Sequence, residues 1–251
     1  MKIFLRPLLV FYLKALAKLL LWFKQPQIIA IAGSNNKTFT KNQIKKTLQA
    51  KQLICRASPK SYNTDIGLSL SILGIASGYS DYKKWGRVLI QALAALFRPG
   101  FPDYLILEIG IAQPGDMKQL LSIIKPRISI ITDLTQKYLE AFQDMDYLVK
   151  EYQLLFKKTN PKGFLIVNFD NPRLRQLAKT AGSTVISFGQ ARNYDYRITR
   201  LKRKNYRERI VIKHQKHSKL YQLKRYGLHN IYAFCIAVVI KQIIKTNKQD
   251  N

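Results

Sequence analysis

The chain has 251 residues, 47% of them hydrophobic, which is enough for one well-packed domain with appended segments. Its 43 Lys and Arg residues against 14 Asp and Glu residues give a formal net charge of +29. This charge predicts an anionic partner: a nucleotide, a nucleic acid or an anionic membrane surface. The two cysteines, Cys55 and Cys235, lie in apolar segments, which argues against a disulfide-stabilised protein and favours a reducing, cytoplasmic compartment.

The first apolar segment covers residues 3–23 and is long enough, as a helix of about 30 Å, to cross a bilayer. Arg6, Lys14 and Lys18 argue against crossing, because a charge at the bilayer centre costs about 2.5–3.5 kcal/mol. We therefore predict that residues 1–25 form a basic amphipathic helix, held on the anionic inner face of the membrane through residues 2–24. The alternative is a helix that packs on the following domain or on a partner subunit.

Residues 27–41, QIIAIAGSNNKTFTK, form the segment around which the rest of the domain is organised. The β-branched run 28–31 predicts a buried parallel strand, Gly33 interrupts it, and a polar helix can begin at Lys37. This strand–loop–helix order is typical of a phosphate-binding loop, in which backbone N–H groups, a Lys and a Ser/Thr hydroxyl contact phosphates and Mg²⁺. The alternative is an ordinary strand-to-helix turn with a solvated Lys. The predicted binding residues are Gly33, Ser34, Asn35, Asn36, Lys37 and Thr38.

The loop departs from the usual Gly-Lys-Thr ending, because Asn36 precedes Lys37. Asn is the non-glycine residue that best tolerates a left-handed backbone. We therefore expect the loop to keep its shape at a cost of about 1 kcal/mol.

Alternating strand and helix patterns follow this loop and predict an α/β fold, a mostly parallel sheet with helices on both faces and ligands at the carboxyl ends of the strands. Predicted strands cover 52–57, 104–111, 127–134, 163–168 and 184–188; predicted helices cover 38–50, 65–76, 82–97, 115–124, 144–158 and 172–181.

Residues 194–224 differ, since Arg, Lys and Tyr alternate with apolar residues, which indicates antiparallel strands at a basic edge of the sheet. A final helix is predicted from Gly227 to about residue 245, followed by a frayed tail at 246–251. Nucleic-acid binding through the basic stretch 197–225 is a further alternative, although no known recognition module is present there.

Glu108 is a further candidate site residue, because an apolar strand ends in this carboxylate. Burying a charged carboxylate is costly unless it is paired or holds a metal ion. On a strand that neighbours the phosphate loop, Glu108 could hold Mg²⁺ together with Thr38. The alternative is a strand-end Glu that reaches solvent.

Six blocks together resemble the ATP-binding central domain of the Mur ligases, especially the branch that adds D-alanyl-D-alanine to the cell-wall precursor. The resemblance covers residues 27–244. It implies an ATP- and Mg²⁺-dependent acid–amino acid ligase, in which a carboxylate is phosphorylated and an amine attacks the acyl phosphate. The blocks are AIAGSNNKTFTK, KSYNTDIGLSLSIL, LILEIGIAQPGDMKQLLSIIKPRISIITDL, YLEAF, GFLIVNFDNPRL and GLHNIYAF.

The resemblance also implies roles for individual residues. Lys37 and Thr38 match the phosphate loop, and Glu108 matches a Mg²⁺ ligand. Further along the chain, the resemblance implies nucleotide-contacting residues at Asn168 and Asp170, and at His229 and Asn230 where the last helix begins.

Two catalytic positions of the family are replaced. The position of a second metal-binding His is Tyr138, and that of a carbamylated Lys is Tyr152, with Lys150 a weak catalytic candidate on another side of the helix. The resemblance covers the family's central domain and does not include its precursor-binding or C-terminal domain. We therefore expect an incomplete or partner-completed ligase, with a non-catalytic membrane-associated scaffold as the alternative.

Overall fold

The computed structural model describes residues 5–59, 62–78, 81–136, 141–142, 144–204, 207–224 and 227–249. Helices and strands alternate through most of the chain. The helices are α1 Leu5–Lys24, α2 Lys37–Gln49, α3 Asp65–Leu73, α4 Tyr82–Ala94, α5 Asp116–Leu121, α6 Met145–Lys158, α7 Pro172–Leu177 and α8 Leu228–Gln249. The strands are β1 Gln27–Ala32, β2 Cys55–Ala57, β3 Tyr104–Glu108, β4 Ile128–Ile131, β5 Phe164–Asn168, β6 Thr184–Gly189, β7 Tyr196–Lys204, β8 Arg207–His214 and β9 His217–Leu223.

The strands form one nine-stranded sheet in the order β2-β3-β1-β4-β5-β6-β7-β8-β9. Neighbouring strands from β2 to β7 are parallel, whereas β7, β8 and β9 pair antiparallel. The predicted α/β fold and its antiparallel basic edge are therefore confirmed. Strand β1 lies between β3 and β4, so the loop that follows it emerges at the carboxyl edge of the sheet, between the ends of these two strands.

Helices cover both faces of the sheet, as a buried parallel sheet requires. Ile44 and Leu48 of α2 share one apolar core with Ile231 and Ile236 of α8 and with the strand residues that face them. The opposite core joins side chains from α1, α3, α4, α5, α6 and α7. Helix α2, which follows the predicted phosphate loop, is thus anchored by α8, the last helix of the chain.

Several element boundaries differ from the prediction for local reasons. Helix α3 ends at Leu73 because Gly74 takes a left-handed φ of 69° and terminates it. After α4, residues Ala95–Phe97 tighten into a 3₁₀ turn. Strand β2 begins at Cys55, because Gln52 has a φ of 58° in the preceding turn. Helix α8 ends at Gln249, beyond the predicted end near residue 245.

Helix α1 packs on the domain with one face only. Its buried side chains, Leu9, Leu13, Leu16 and Leu20, belong to the same core as α3, and Arg6 lies 3.9 Å from Asp65 at the start of α3. The alternative in which the helix packs on the domain is therefore confirmed for this face. Lys2, which the prediction also used, lies outside the described residues.

In the described part of the chain, one helical stretch, Leu228–Thr246 of α8, is long and apolar enough to cross a membrane. More than half of that stretch (56%) is buried inside the protein, and α8 packs on α2 and on strands β5, β6 and β7. These contacts are those of the core helix of an α/β domain.

Candidate functional site: the loop after β1 and two cavities

The loop after β1 lies against the end of β4. Gly33 has a φ of 130°, and a Cβ at this position would overlap the Thr132 hydroxyl, so both the conformation and the space require glycine. The backbone N–H of Ser34 donates to the carbonyl of Asp133 (2.9 Å), and the hydroxyl of Thr132 donates to the carbonyl of Asn35 (2.6 Å). The neighbouring parallel strand thus holds the loop in shape.

Asn36 immediately precedes α2 and has φ 63° and ψ 9°. The expected left-handed conformation is confirmed. The first N–H groups of an α-helix have no partner within the helix, so those at the start of α2 can face an anion. The Lys37 side chain folds back over the loop, where its Nζ donates to the carbonyl of Gly33 (2.7 Å). A cation and a helix N-terminus therefore meet at this loop.

Thr38 and Glu108, the two predicted metal ligands, lie in contact. The Thr38 hydroxyl donates to Glu108 Oε2 over 3.0 Å. Glu108 pairs in register with Ile31 across β1 and β3, and its exposed fraction is 1%. The alternative in which this carboxylate reaches solvent is therefore wrong.

Lys41 is a site residue that the sequence analysis missed. Its Nζ lies 2.6 Å from Glu108 Oε1 and donates to the carbonyl of Ser58 (2.7 Å), and the side chain is buried. Lys41 follows Lys37 and Thr38 by four and three residues, which places all three on one side of α2. That spacing was a signal for Lys41, although a lysine in a polar helix more often faces solvent.

A carboxylate and a hydroxyl are oxygen donors of the kind that Mg²⁺ prefers. Glu108 and Thr38 therefore fit a Mg²⁺ ion that is also bound to phosphate and water, as is usual at nucleotide sites. The described residues contain no group of three or more His, Cys, Asp or Glu side chains that could hold a metal ion by themselves.

A cavity of about 210 Å³ opens on the α8 side of the loop. Two of the four predicted nucleotide-contacting residues, Asn168 and His229, line it. The Asn168 side-chain amide donates to the carbonyl of Thr132 (3.2 Å), which fixes its orientation. Asn36 of the predicted phosphate loop also lines this cavity. The remaining lining residues were not predicted from the sequence: Thr40, Thr132, Asp133, Leu228, Tyr232, Ala233 and Ile236.

Asp170 does not line this cavity, because its carboxylate is used inside the fold. It accepts the backbone N–H of Gln190 (3.0 Å) and the hydroxyl of Tyr232. Burial, and then this hydrogen bond, raise the pKa of Tyr232, which keeps its phenol protonated as a donor. Asp170 therefore positions Tyr232, and Tyr232 in turn borders the cavity.

Asn230 faces a different surface. Its Nδ2 lies 3.0 Å from His229 Nε2, and the residue borders a depression between α2 and α8 together with Phe39, Lys46 and Phe234. The two side chains therefore lie in contact, although His229 borders the cavity beside the loop and Asn230 borders the depression between α2 and α8.

A second cavity of about 360 Å³ lies on the other side of the loop. Lys37 borders it, together with Asn63 and Gly110 from the loops after β2 and β3, Asp116 at the start of α5 and Arg6 from α1. Two cationic residues, Arg6 and Lys37, and two carboxylates, Asp65 and Asp116, therefore line the second cavity. In the sequence, the segment around Asn63 was assigned to the site only through the family resemblance. Asn63 and Gly110 are distant in the chain, and the fold brings them into contact, with the Gly110 N–H donating to the Asn63 carbonyl (3.0 Å).

Lys150 and Tyr152 lie on α6, and neither lines the two cavities described above. Lys150 is exposed, with its Nζ 4.8 Å from the centre of the Tyr147 ring, whereas Tyr152 is buried in the core. Glu151 between them accepts the backbone N–H groups of Gly115 and Met117 at the start of α5. The block 137–140, which contains Tyr138, lies outside the described residues.

A family model described as "Mur ligase middle domain" matches residues 31–240, most of the chain. The chain belongs to the Mur ligase family. The predicted resemblance is therefore confirmed, and membership in a family of amide-bond-forming ligases for cell-wall precursors favours that function over a scaffold or a nucleic-acid binder.

Curated Mur ligases match parts of the chain. The chain is 30% identical over 146 residues to the UDP-N-acetylmuramoyl-tripeptide--D-alanyl-D-alanine ligase of Borreliella burgdorferi, covering 58% of this chain and 26% of that protein. It is 24% identical over 217 residues to the UDP-N-acetylmuramoyl-L-alanyl-D-glutamate--2,6-diaminopimelate ligase of Syntrophomonas wolfei, covering 86% and 42%. The chain thus spans less than half the length of these two Mur ligases.

Solved Mur ligase structures share the fold. The MurF ligase of Thermotoga maritima in complex with ADP superposes with a TM-score of 0.77 at 20% identity, over 94% of this chain and 49% of that one. MurF from Acinetobacter baumannii gives a TM-score of 0.73 at 18% identity, over 92% and 46%.

Proposed function

We propose that residues 26–251 form the Mg²⁺-ATP-binding domain of a Mur-type ligase that joins an acid to an amine in cell-wall precursor synthesis. The observation that carries this proposal is the contact between Thr38 and the buried Glu108 directly below a left-handed phosphate loop. A metal-bound nucleoside triphosphate needs this arrangement, in which a buried carboxylate lies beside a helix N-terminus and a lysine.

Each part of the site has a distinct task in this proposal. The N–H groups at the start of α2 and the Lys37 ammonium bind the phosphates, while Thr38 and Glu108 hold Mg²⁺. When bound, Mg²⁺ neutralises charge on the phosphate oxygens. The cavity lined by His229 and Tyr232 receives the nucleoside, which fits the ADP-bound Mur ligase that shares this fold.

The acid substrate would occupy the second cavity, on the other side of Lys37. There its carboxylate oxygen would attack the terminal phosphorus of ATP, so that the bond to ADP breaks and an acyl phosphate forms. The amine nitrogen would then attack the acyl carbon and displace inorganic phosphate, losing a proton as the amide forms. Lys37 and Arg6 would hold the anionic groups close to each other.

The remaining parts of such a ligase, which bind the precursor and close on ATP, would come from a partner protein or from segments beyond these 251 residues. We further propose that residues 1–25 hold this cytoplasmic domain peripherally on the inner membrane face. The exposed side of α1 supports this placement, since it carries Phe11, Trp22 and Lys18.

A nucleotide titration tests the proposal. The chain should bind a fluorescent ATP analogue more tightly with Mg²⁺ than without it, and Lys37→Ala should weaken binding at least tenfold. Lys46→Ala is the matched control, because it removes the same charge from the exposed side of the same helix. Equal binding by the wild-type protein and the Lys37 variant would remove the phosphate-loop assignment.

A further inference from the structure

The exposed apolar side chains of this protein are concentrated on one pair of helices. Among the described residues, eleven large hydrophobic side chains are exposed, and eight of them lie on α1 or on α4 and its 3₁₀ turn. Single exposed apolar residues are normal, but a concentration of this kind marks an interaction surface. The eight are Leu8, Phe11, Leu19, Trp22 and Phe23 on the first element and Ile90, Leu93 and Phe97 on the second.

On α1 the exposed residues form a stripe that is separate from the buried face. Leu8, Phe11, Leu19 and Trp22 follow one another at spacings that keep them on one side of a helix. Phe11 is 72% exposed and Trp22 68% exposed, although the leucines of the opposite side are buried against α3. Packing on the domain therefore accounts for only one of the two apolar sides of α1.

Helix α4 and its 3₁₀ turn repeat this arrangement. Val88, Ala92 and Ala95 are buried, whereas Ile90 is 73% exposed and Phe97 is 81% exposed. Together with Leu93 these exposed residues lie at spacings of three and four, again one side of a helix. The core therefore accounts for the buried side, while the side that carries Ile90, Leu93 and Phe97 is exposed.

The two stripes border the same seam. Helix α1 packs on α4 and on the 3₁₀ turn, and the Tyr12 hydroxyl donates to the carbonyl of Leu89 (3.1 Å), the residue before Ile90. Around α1, Tyr12 lies next to Leu8 and Leu19, because these residues are four before it and seven after it. The exposed stripe of α1 therefore approaches α4 at the edge where the second stripe begins.

The charges around these stripes are of one sign. Residues 5–24 and 82–98 contain eight basic residues and no Asp or Glu. The flanking carboxylates Asp65 and Asp81 pair with Arg6 and Lys84, which leaves Lys14, Lys18, Lys24, Lys83, Arg87 and Arg98 as a surplus of positive charge. A second copy of the same face would be repelled, whereas an anionic lipid surface accepts both the aromatic side chains and the cations.

We propose that α1, α4 and the 3₁₀ turn Ala95–Phe97 form one composite face that docks on anionic lipid. This inference rests on the proposed membrane association of α1 and extends it, because α4 becomes a second contact. Two helices that insert apolar side chains fix how the domain sits on the surface, whereas a single helix would leave it free to rotate about that helix.

Vesicle flotation of the full chain tests the composite face. The wild-type protein should float with phosphatidylglycerol-containing vesicles, less with pure phosphatidylcholine, and less in high salt. Replacing Ile90, Leu93 and Phe97 with Ser should weaken the partition at least tenfold, as should Phe11→Ser with Trp22→Ser. The matched control is Ile54→Ser with Leu220→Ser, which changes exposed residues elsewhere and should stay within twofold of the wild-type value. Circular dichroism and thermal unfolding confirm that each variant is folded.

A direct readout of contact complements the flotation. In a chain whose tryptophans are replaced by Phe, the Phe97→Trp variant should shift its emission to the blue on vesicle binding and be quenched by brominated lipid. The composite face is overturned if the α4 variant floats like the wild-type protein and the indole introduced at position 97 stays unquenched. If the α1 variant fails to float in that case, docking through α1 alone still stands. If the wild-type chain does not float with anionic vesicles, whether it self-associates or binds a soluble protein instead, both proposals are overturned.

Discussion

Lys41 Nζ lies 2.6 Å from Glu108 Oε1, and both side chains are buried beneath the phosphate loop. The other carboxylate oxygen accepts the Thr38 hydroxyl. The carboxylate assigned to Mg²⁺ is therefore already neutralised by a fixed cation, which makes its burial tolerable in the nucleotide-free protein.

Lys41→Met should lower the free energy of unfolding by about 3–5 kcal/mol, because it leaves Glu108 buried without its countercharge. Adding Glu108→Gln should recover part of this loss, since the unpaired charge is then gone. Urea denaturation of the single and double variants measures this coupling. Lys46→Met, an exposed position on the same helix, should change the stability by no more than about 0.5 kcal/mol. Strictly additive effects of Lys41 and Glu108 would contradict the pairing.

Asn36 should respond oppositely to its two simplest replacements. Its φ of 63° suits Gly better than Asn and suits Ala least. Asn36→Gly should therefore tighten the binding of Mg²⁺-ATP by a few fold, and Asn36→Ala should weaken it, through a left-handed backbone cost of about 1 kcal/mol. A titration with a fluorescent ATP analogue compares the three proteins. The loop-strain explanation would be abandoned if both variants bound alike.

His229→Ala should weaken the binding of ATP without changing that of inorganic tripolyphosphate. His229 borders the cavity on the α8 side of the loop, which we assign to the nucleoside, and its described hydrogen bond is to Asn230 rather than to the loop. Competition of each ligand against a fluorescent ATP analogue measures both affinities. His217→Ala, which removes an exposed histidine from β9, serves as the control. Equal losses for ATP and tripolyphosphate would place His229 at the phosphates instead.

Tyr152→Lys should destabilise the protein rather than create a carbamylated lysine at the site. Tyr152 is 3% exposed in the core that α6 shares with α5 and α7. Losing the ring and burying an amine there should cost on the order of 3 kcal/mol. Thermal unfolding, with carbonate present and absent, measures the effect. A variant as stable as the wild-type protein, with its stability raised by carbonate, would show that this position faces the site.

The 251-residue chain alone should release ADP slowly, if at all, when supplied with a carboxylate and an amine. Two catalytic positions implied by the family resemblance are Tyr138 and Tyr152, and the chain spans less than half of the two curated relatives described above. A coupled ADP assay measures the turnover. Rapid release that needs both substrates would mean that other groups replace those two positions.

Sequence patterns predicted the α/β class, the basic antiparallel edge, the left-handed turn before α2 and the place of Glu108 beside Thr38. These features follow from local patterns. A β-branched run predicts a buried strand, a glycine and an asparagine permit the left-handed turns that the loop needs, and parallel strands bring their carboxyl ends to one edge. Gly33 and Asn36 accordingly have positive φ angles in the loop, and Thr38 contacts Glu108.

Which polar side chains pair inside the fold and which line the site depends on contacts between distant parts of the chain. Lys41 turned inward because Glu108 and the Ser58 carbonyl lie there, and Asp170 became a support for Tyr232. The two apolar sides of α1 were likewise indistinguishable in the sequence, since helical periodicity shows that a side is apolar but not what covers it. Contacts with α3 bury one side of α1. The other side, next to the contact with α4, is exposed.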